Sequence, residues 1–93
     1  MKKQNFLENS NHVIKEIFSF HFTRTNYNLA PHTFYNIGGP ADVAMLPTNE
    51  DELVNAYHFF SLVEKPKLII GGGTNLLISD KGFRGLVLIT PKL

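Results

Sequence analysis

The chain contains no cysteine. Disulfide scaffolds, thiolate metal sites, cysteine nucleophiles and CxxC redox centres are thereby excluded. Charge of one prevailing sign is also missing: nine Lys or Arg stand against eight Asp or Glu, a formal net charge of +1. These charges are scattered, so no basic stripe offers the phosphate neutralisation that nucleic-acid binding needs. No apolar run approaches the ~20 residues of a membrane-crossing helix. Behind the basic start Lys2-Lys3, the residues Gln4, Asn5, Glu8, Asn9, Ser10 and Asn11 interrupt what would be the apolar core of a signal peptide. These absences lead to the expectation of a cytoplasmic protein with no membrane and no nucleic-acid partner. Repeats and low-complexity segments are absent. Asp42 and Glu64 have no paired carboxylate in view, which leaves glycosidase-type chemistry unsupported. His12, His21, His32 and His58 do not fall at metal-ligand spacing, so surface or packing roles are expected and no metal site. With 93 residues and 43% apolar content the chain makes one small domain. A chain of this size removes only about 60 to 65% of its unfolded surface from water, too little to build a large enclosed cavity.

What is present reads as an α+β pattern. Val13, Ile14, Ile17 and Phe18 form one helical stripe over Ser10 to Phe18, with Asn9, Ser10 and Asn11 as candidate caps. From Phe18 the apolar period drops to two through Phe20 and Phe22, which predicts an extended segment from about Ser19 and core roles for the three rings. Asn26 to Pro31 is turn-rich. Asp42 to Leu46 reads as a strand stopped by Pro47. Thr48 or Asn49 then caps a helix whose first turn holds Glu50, Asp51 and Glu52, and Leu53, Ala56, Tyr57, Phe60 and Val63 make its apolar face before Lys65-Pro66 ends it. Lys67 to Ile70 is a strand buried on both faces, Leu76-Leu77-Ile78 a second apolar stretch, Asp80 to Gly85 a turn, and Leu86 to Ile89 a further apolar strand. This order predicts a small mixed, partly parallel sheet with a βαβ unit and a right-handed crossover. A parallel sheet needs cover on both faces, so the second face calls for the N-terminal helix or for something outside these residues.

Two glycine clusters carry the chemistry. Gly71-Gly72-Gly73 follows a buried strand, where glycine permits positive φ and close backbone approach, so several N–H groups can converge on an anion. Thr74 and Asn75 add a hydroxyl and an amide. A chain-reversing turn accounts for the same glycines, and spacing alone leaves both readings open. A P-loop is excluded by the missing Lys with Ser or Thr, and a Rossmann fingerprint by Leu76 in the place of its third glycine. In the second cluster, Gly38-Gly39-Pro40 stands beside Phe34 and Tyr35. It reads either as a turn before a strand or as backbone that approaches the same ligand as the triple glycine.

Four ordered blocks then stand together: Leu29 to Ala41, Leu46-Pro47-Thr48, Leu68 to Leu77 and Asp80 to Val87. In this order and spacing they resemble the UDP-N-acetylenolpyruvoylglucosamine reductases, over roughly Leu29 to Ile89. The resemblance implies a flavoenzyme of peptidoglycan (cell wall) biosynthesis with the FAD-binding fold of vanillyl-alcohol oxidase, the PCMH type. It implies FAD as cofactor, NADPH as the reductant, and a UDP-sugar substrate, UDP-N-acetylglucosamine enolpyruvate, reduced to UDP-N-acetylmuramate. On this reading residues 1–25 are a helix and lead-in, and residues 26–93 are the first, incomplete FAD-binding subdomain. Gly71, Gly72, Gly73, Thr74, Asn75 and Leu76 would lie along the pyrophosphate, with Thr33, Gly38 and Gly39 in a second flavin-facing segment. Thr74 stands where the family often has Ser and keeps the hydroxyl; His32 stands where Asn is frequent. The family's catalytic serine, with its assisting glutamate and arginine, lies downstream of the matched region, so no catalytic residue is expected here. The chain is therefore expected to be an N-terminal segment of such a reductase, inactive alone. A non-catalytic remnant or nucleotide-binding module of the same fold, or a related FAD-dependent oxidase, are the alternatives.

Overall fold

The computed structural model describes residues 12–33, 38–71 and 81–91. In chain order they form α1 (His12–Ser19), β1 (Thr23–Asn28), a 3-10 turn (Ala30–His32), β2 (Pro40–Met45), α2 (Glu50–Leu62), β3 (Lys67–Ile70) and β4 (Phe83–Ile89). The strands make one sheet in the order β1-β2-β4-β3. β4 pairs in parallel with both β2 and β3, whereas β1 is antiparallel to β2. The fold is a small α+β arrangement with a partly parallel sheet, as the pattern predicts, and α2 connects β2 to β3 across the place that β4 fills.

Helix α2 begins where its local chemistry directs. Asn49 caps it by accepting the Glu52 N–H at 2.9 Å on Oδ1. The Glu52 carboxylate reaches back to accept the N–H and the hydroxyl of Thr48, both at 2.8 Å. Those bonds, the Thr48 N–H first, hold the Glu52 carboxyl below its usual pKa, and the His21 ring at 2.7 Å adds to them. Ala56, Phe60 and Val63 are buried as expected. Tyr57 is not: it is half exposed and, with Val54, Leu53, Ile69, Leu88 and Thr90, lines an open apolar groove of about 420 Å³ beside the β3 edge.

Two other expectations are corrected. The Phe18, Phe20, Phe22 alternation is not a strand. Helix α1 runs to Ser19, the Phe20 N–H donates to the Ile17 carbonyl, the Thr23 N–H donates to the Phe20 carbonyl, and the strand starts only at Thr23. The alternation arises because a tight turn folds Phe20 onto Phe22, with ring centroids 4.9 Å apart, and Phe20 edge-on against Phe59. Phe22 is buried, and Phe18 and Phe20 pack against the core, so the expected core role stands. The turn-rich stretch from Asn26 instead completes β1, whose polar edge position and positive φ at Asn26 hide its strand character.

The second correction concerns cover. Both helices pack on one face of the sheet, where Ile14 and Ile17 of α1 and Ala56 and Phe60 of α2 meet Val43, Met45, Leu86 and Leu88. The N-terminal helix therefore does not cover the opposite face. That face carries its own buried cluster of Ala44, Ile70, Val87 and Ile89 with Leu29, flanked by Tyr27, Leu46, Leu68 and Phe83.

Candidate functional site

The Gly38-Gly39 segment enters the sheet at the N-terminal end of β2. The Gly39 carbonyl accepts the Leu29 N–H at 3.0 Å, which ties the glycines to the buried Leu29 just ahead of the 3-10 turn. In that turn the Asn28 carboxamide accepts the Ala30 N–H at 3.1 Å. The Thr33 hydroxyl and N–H both donate to the Ala30 carbonyl, at 3.0 and 3.2 Å. The Thr33 hydroxyl hydrogen thus closes the turn. Tyr27 braces the same turn from β1, its hydroxyl 2.7 Å from Nε2 of His32. Burial holds the His32 ring below the usual histidine pKa.

A second structure flanks these glycines from β4. Ala41 is opposite Phe83 and Val43 opposite Leu86, so two residues of β4, Arg84 and Gly85, face the single Asp42. Such a bulge turns a side chain out of the regular alternation. Here it directs the Arg84 guanidinium back over the strand ends. Nη2 donates to the Pro40 carbonyl at 2.9 Å and the Lys81 carbonyl at 3.0 Å, and Nη1 lies 3.4 Å from the Asp42 carboxylate. Asp42 is buried, while about half of the Arg84 side chain is open to solvent. The two glycines beside Arg84 are obligatory. Gly82 has φ +87 and an added Cβ would stand 1.9 Å from the Pro40 carbonyl oxygen; Gly85 has φ +153 and a Cβ there would stand 2.2 Å from that of Pro66. Residues 83 to 85 therefore belong to the strand, not to the turn that their glycines predict.

Gly71 lies at the other end of the sheet. It follows β3 directly, where the Ile70 carbonyl accepts the Thr90 N–H at 2.9 Å. Since β2, β3 and β4 are parallel, Gly38-Gly39 and Gly71 are separated by more than the length of β4, itself about 20 Å at the usual rise per residue. Of the site residues expected from sequence, Thr33, Gly38 and Gly39 share one end of the sheet and Gly71 marks the opposite end. Gly72, Gly73, Thr74, Asn75 and Leu76 lie outside the described residues, as do Phe34, Tyr35, Leu77, Ile78, Asp80 and the candidate caps Asn9, Ser10 and Asn11. Sequence reasoning did not pair Asp42 with Arg84; the available signal was an arginine between two glycines. Among the described residues no group of His, Asp or Glu is placed to hold a metal ion, and His21 and His32 are engaged with Glu52 and Tyr27. No described helix is long and apolar enough to cross a membrane.

No protein-family model matches the chain. Curated relatives do. A UDP-N-acetylenolpyruvoylglucosamine reductase of Caldanaerobacter subterraneus subsp. tengcongensis is 43% identical over 74 residues, 80% of this chain and 24% of the relative. The protein of that name from Treponema denticola is 50% identical over 65 residues, 70% of this chain and 20% of its own. That from Halalkalibacterium halodurans is 42% identical over 69 residues, 74% of this chain and 23% of its own. The chain spans about a quarter to a fifth of the length of these relatives. Over 70 to 80% of its residues it is homologous to a segment of the UDP-N-acetylenolpyruvoylglucosamine reductases.

Proposed function

We propose that the chain is the FAD-binding portion of an NADPH-dependent reductase that converts UDP-N-acetylglucosamine enolpyruvate to UDP-N-acetylmuramate in peptidoglycan synthesis, built on the first half of a PCMH-type fold. The homology to proteins named for that reduction supports the reaction class. The observation that carries the cofactor assignment is the separation of the glycine segments: more than the roughly 20 Å length of β4 lies between Gly38-Gly39 and Gly71 along one sheet. A mononucleotide cannot touch both ends, whereas an extended dinucleotide can. Small residues at both ends let backbone N–H groups approach its phosphates and ring system without side chains intervening. Gly71, with Gly72 to Leu76 after it, would hold the pyrophosphate, and Gly38 and Gly39, tied to Leu29 through the Gly39 carbonyl, would face the other half with Thr33. When bound, the flavin supplies hydride transfer between NADPH and the enolpyruvyl group. This chain's own part is to bind and orient. Residues 26–93 form the subdomain on this reading, and the rest of the reaction, with the UDP-sugar, belongs to sequence that the homologues carry beyond the matched segment.

Titration of the chain with FAD, followed by flavin fluorescence, tests this. Saturable quenching that weakens at least tenfold in Gly71→Val, with the melting temperature retained, is expected. Indifference to FAD would instead favour a non-catalytic module of the same fold.

A further inference from the structure

Arg84 lies at the sheet end with about half its side chain in water. Its guanidinium nonetheless joins two backbone segments far apart in sequence: Pro40, directly after Gly38-Gly39, and Lys81, directly before Gly82. Gly82 in turn presses its backbone against the Pro40 carbonyl so closely that no Cβ fits. The bulge at Arg84-Gly85 exists opposite Asp42, the buried carboxylate that Nη1 approaches. Bulge, buried charge and glycine contact converge on Pro40 and Asp42, just after Gly38-Gly39 in the chain. Burying a carboxylate is costly unless it is paired, and Arg84 supplies that pairing for Asp42.

We propose that Arg84, oriented by Asp42, is a positioning residue that fixes the Gly38-Gly39 backbone for the flavin cofactor. The inference rests on the FAD-binding reading above. Arg84 does not touch the ligand; it acts through the Pro40 and Lys81 carbonyls. The planar fork is required for this. Two hydrogens on Nη2 serve two carbonyls while Nη1 faces the carboxylate, whereas a lysine must divide one nitrogen among all three.

Arg84→Lys keeps a positive charge near Asp42 and is the informative variant; Arg84→Ala accompanies it. Two measurements are made on the 93-residue chain: FAD affinity by fluorescence quenching, and amide hydrogen exchange without FAD. The expected result is an affinity at least tenfold weaker in Arg84→Lys, with exchange faster at Gly38, Gly39 and Gly82 and unchanged at Val43 and Leu88. Unchanged FAD affinity in both variants overturns the inference and leaves the flavin reading intact. Exchange that rises uniformly across the sheet also overturns it, since Arg84 is then a stability residue. If the unsubstituted chain fails to bind FAD, the flavin reading falls and the positioning role falls with it.

Discussion

Gly82 and His32 show how much a single side chain, or its absence, decides. Gly82 combines a left-handed φ of +87 with a would-be Cβ at 1.9 Å from backbone that cannot move aside. Gly82→Ala should therefore cost about 1 to 3 kcal/mol, read as a lower urea midpoint at unchanged slope. His32 is held below its usual pKa by burial. The sign follows: the folded state prefers the neutral ring, so stability is fully present above the unfolded histidine pKa and declines as pH falls from there towards the folded value. Titration of the His32 ring protons by NMR should give a midpoint below that of a free histidine; a midpoint at or above it would contradict the buried, Tyr27-bonded ring. Little of this was legible in sequence. The glycines of 82 and 85 announce unusual backbone but not whether it is a turn or a bulged strand, because that depends on Pro40 and Pro66, more than fifteen residues away in each case but for the span of the sheet.

Among the elements, α2 was legible and β1 was not, for opposite reasons. The start of α2 is encoded within five residues, Thr48 to Glu52, and no distant group is needed to choose it. Asn49→Ala should cost about 1 kcal/mol, measured by chemical denaturation. Glu52, with its lowered pKa, contributes stability that is present above the ordinary carboxylate pKa and is lost as pH falls through the folded value. The gap in urea midpoint between the unsubstituted chain and Glu52→Gln should accordingly narrow on acidification below about pH 4. A gap independent of pH would contradict the carboxylate's role. In β1 the residues Thr23 to Asn28 are mostly exposed, so no apolar alternation marks them, and pairing with β2 alone makes them a strand. The phenylalanines just before them mimic a strand period only because Phe20 folds back onto Phe22.

At the scale of the whole molecule, the α+β class and the parallel strands were readable from apolar runs, but the strand order was not. Hydrophobic period reports that Leu86 to Ile89 is buried on both faces; it does not report which strands flank it. Nor do isolated glycines reveal that Gly38-Gly39 and Gly71 mark opposite ends of one sheet. The matched segment amounts to only a fifth to a quarter of the length of the reductases it resembles. Mixed with NADPH, FAD and UDP-N-acetylglucosamine enolpyruvate, it should give no NADPH consumption that depends on all three, followed by absorbance at the nicotinamide band. The central place of β4 has one more consequence, in the order of synthesis. β2 and β3 emerge first yet share no ladder, and each waits for the same later strand. A nascent chain released before Phe83 has α1, β1, β2 and α2 to assemble, but its β3 has nothing to pair with. The sheet closes from its middle, and last.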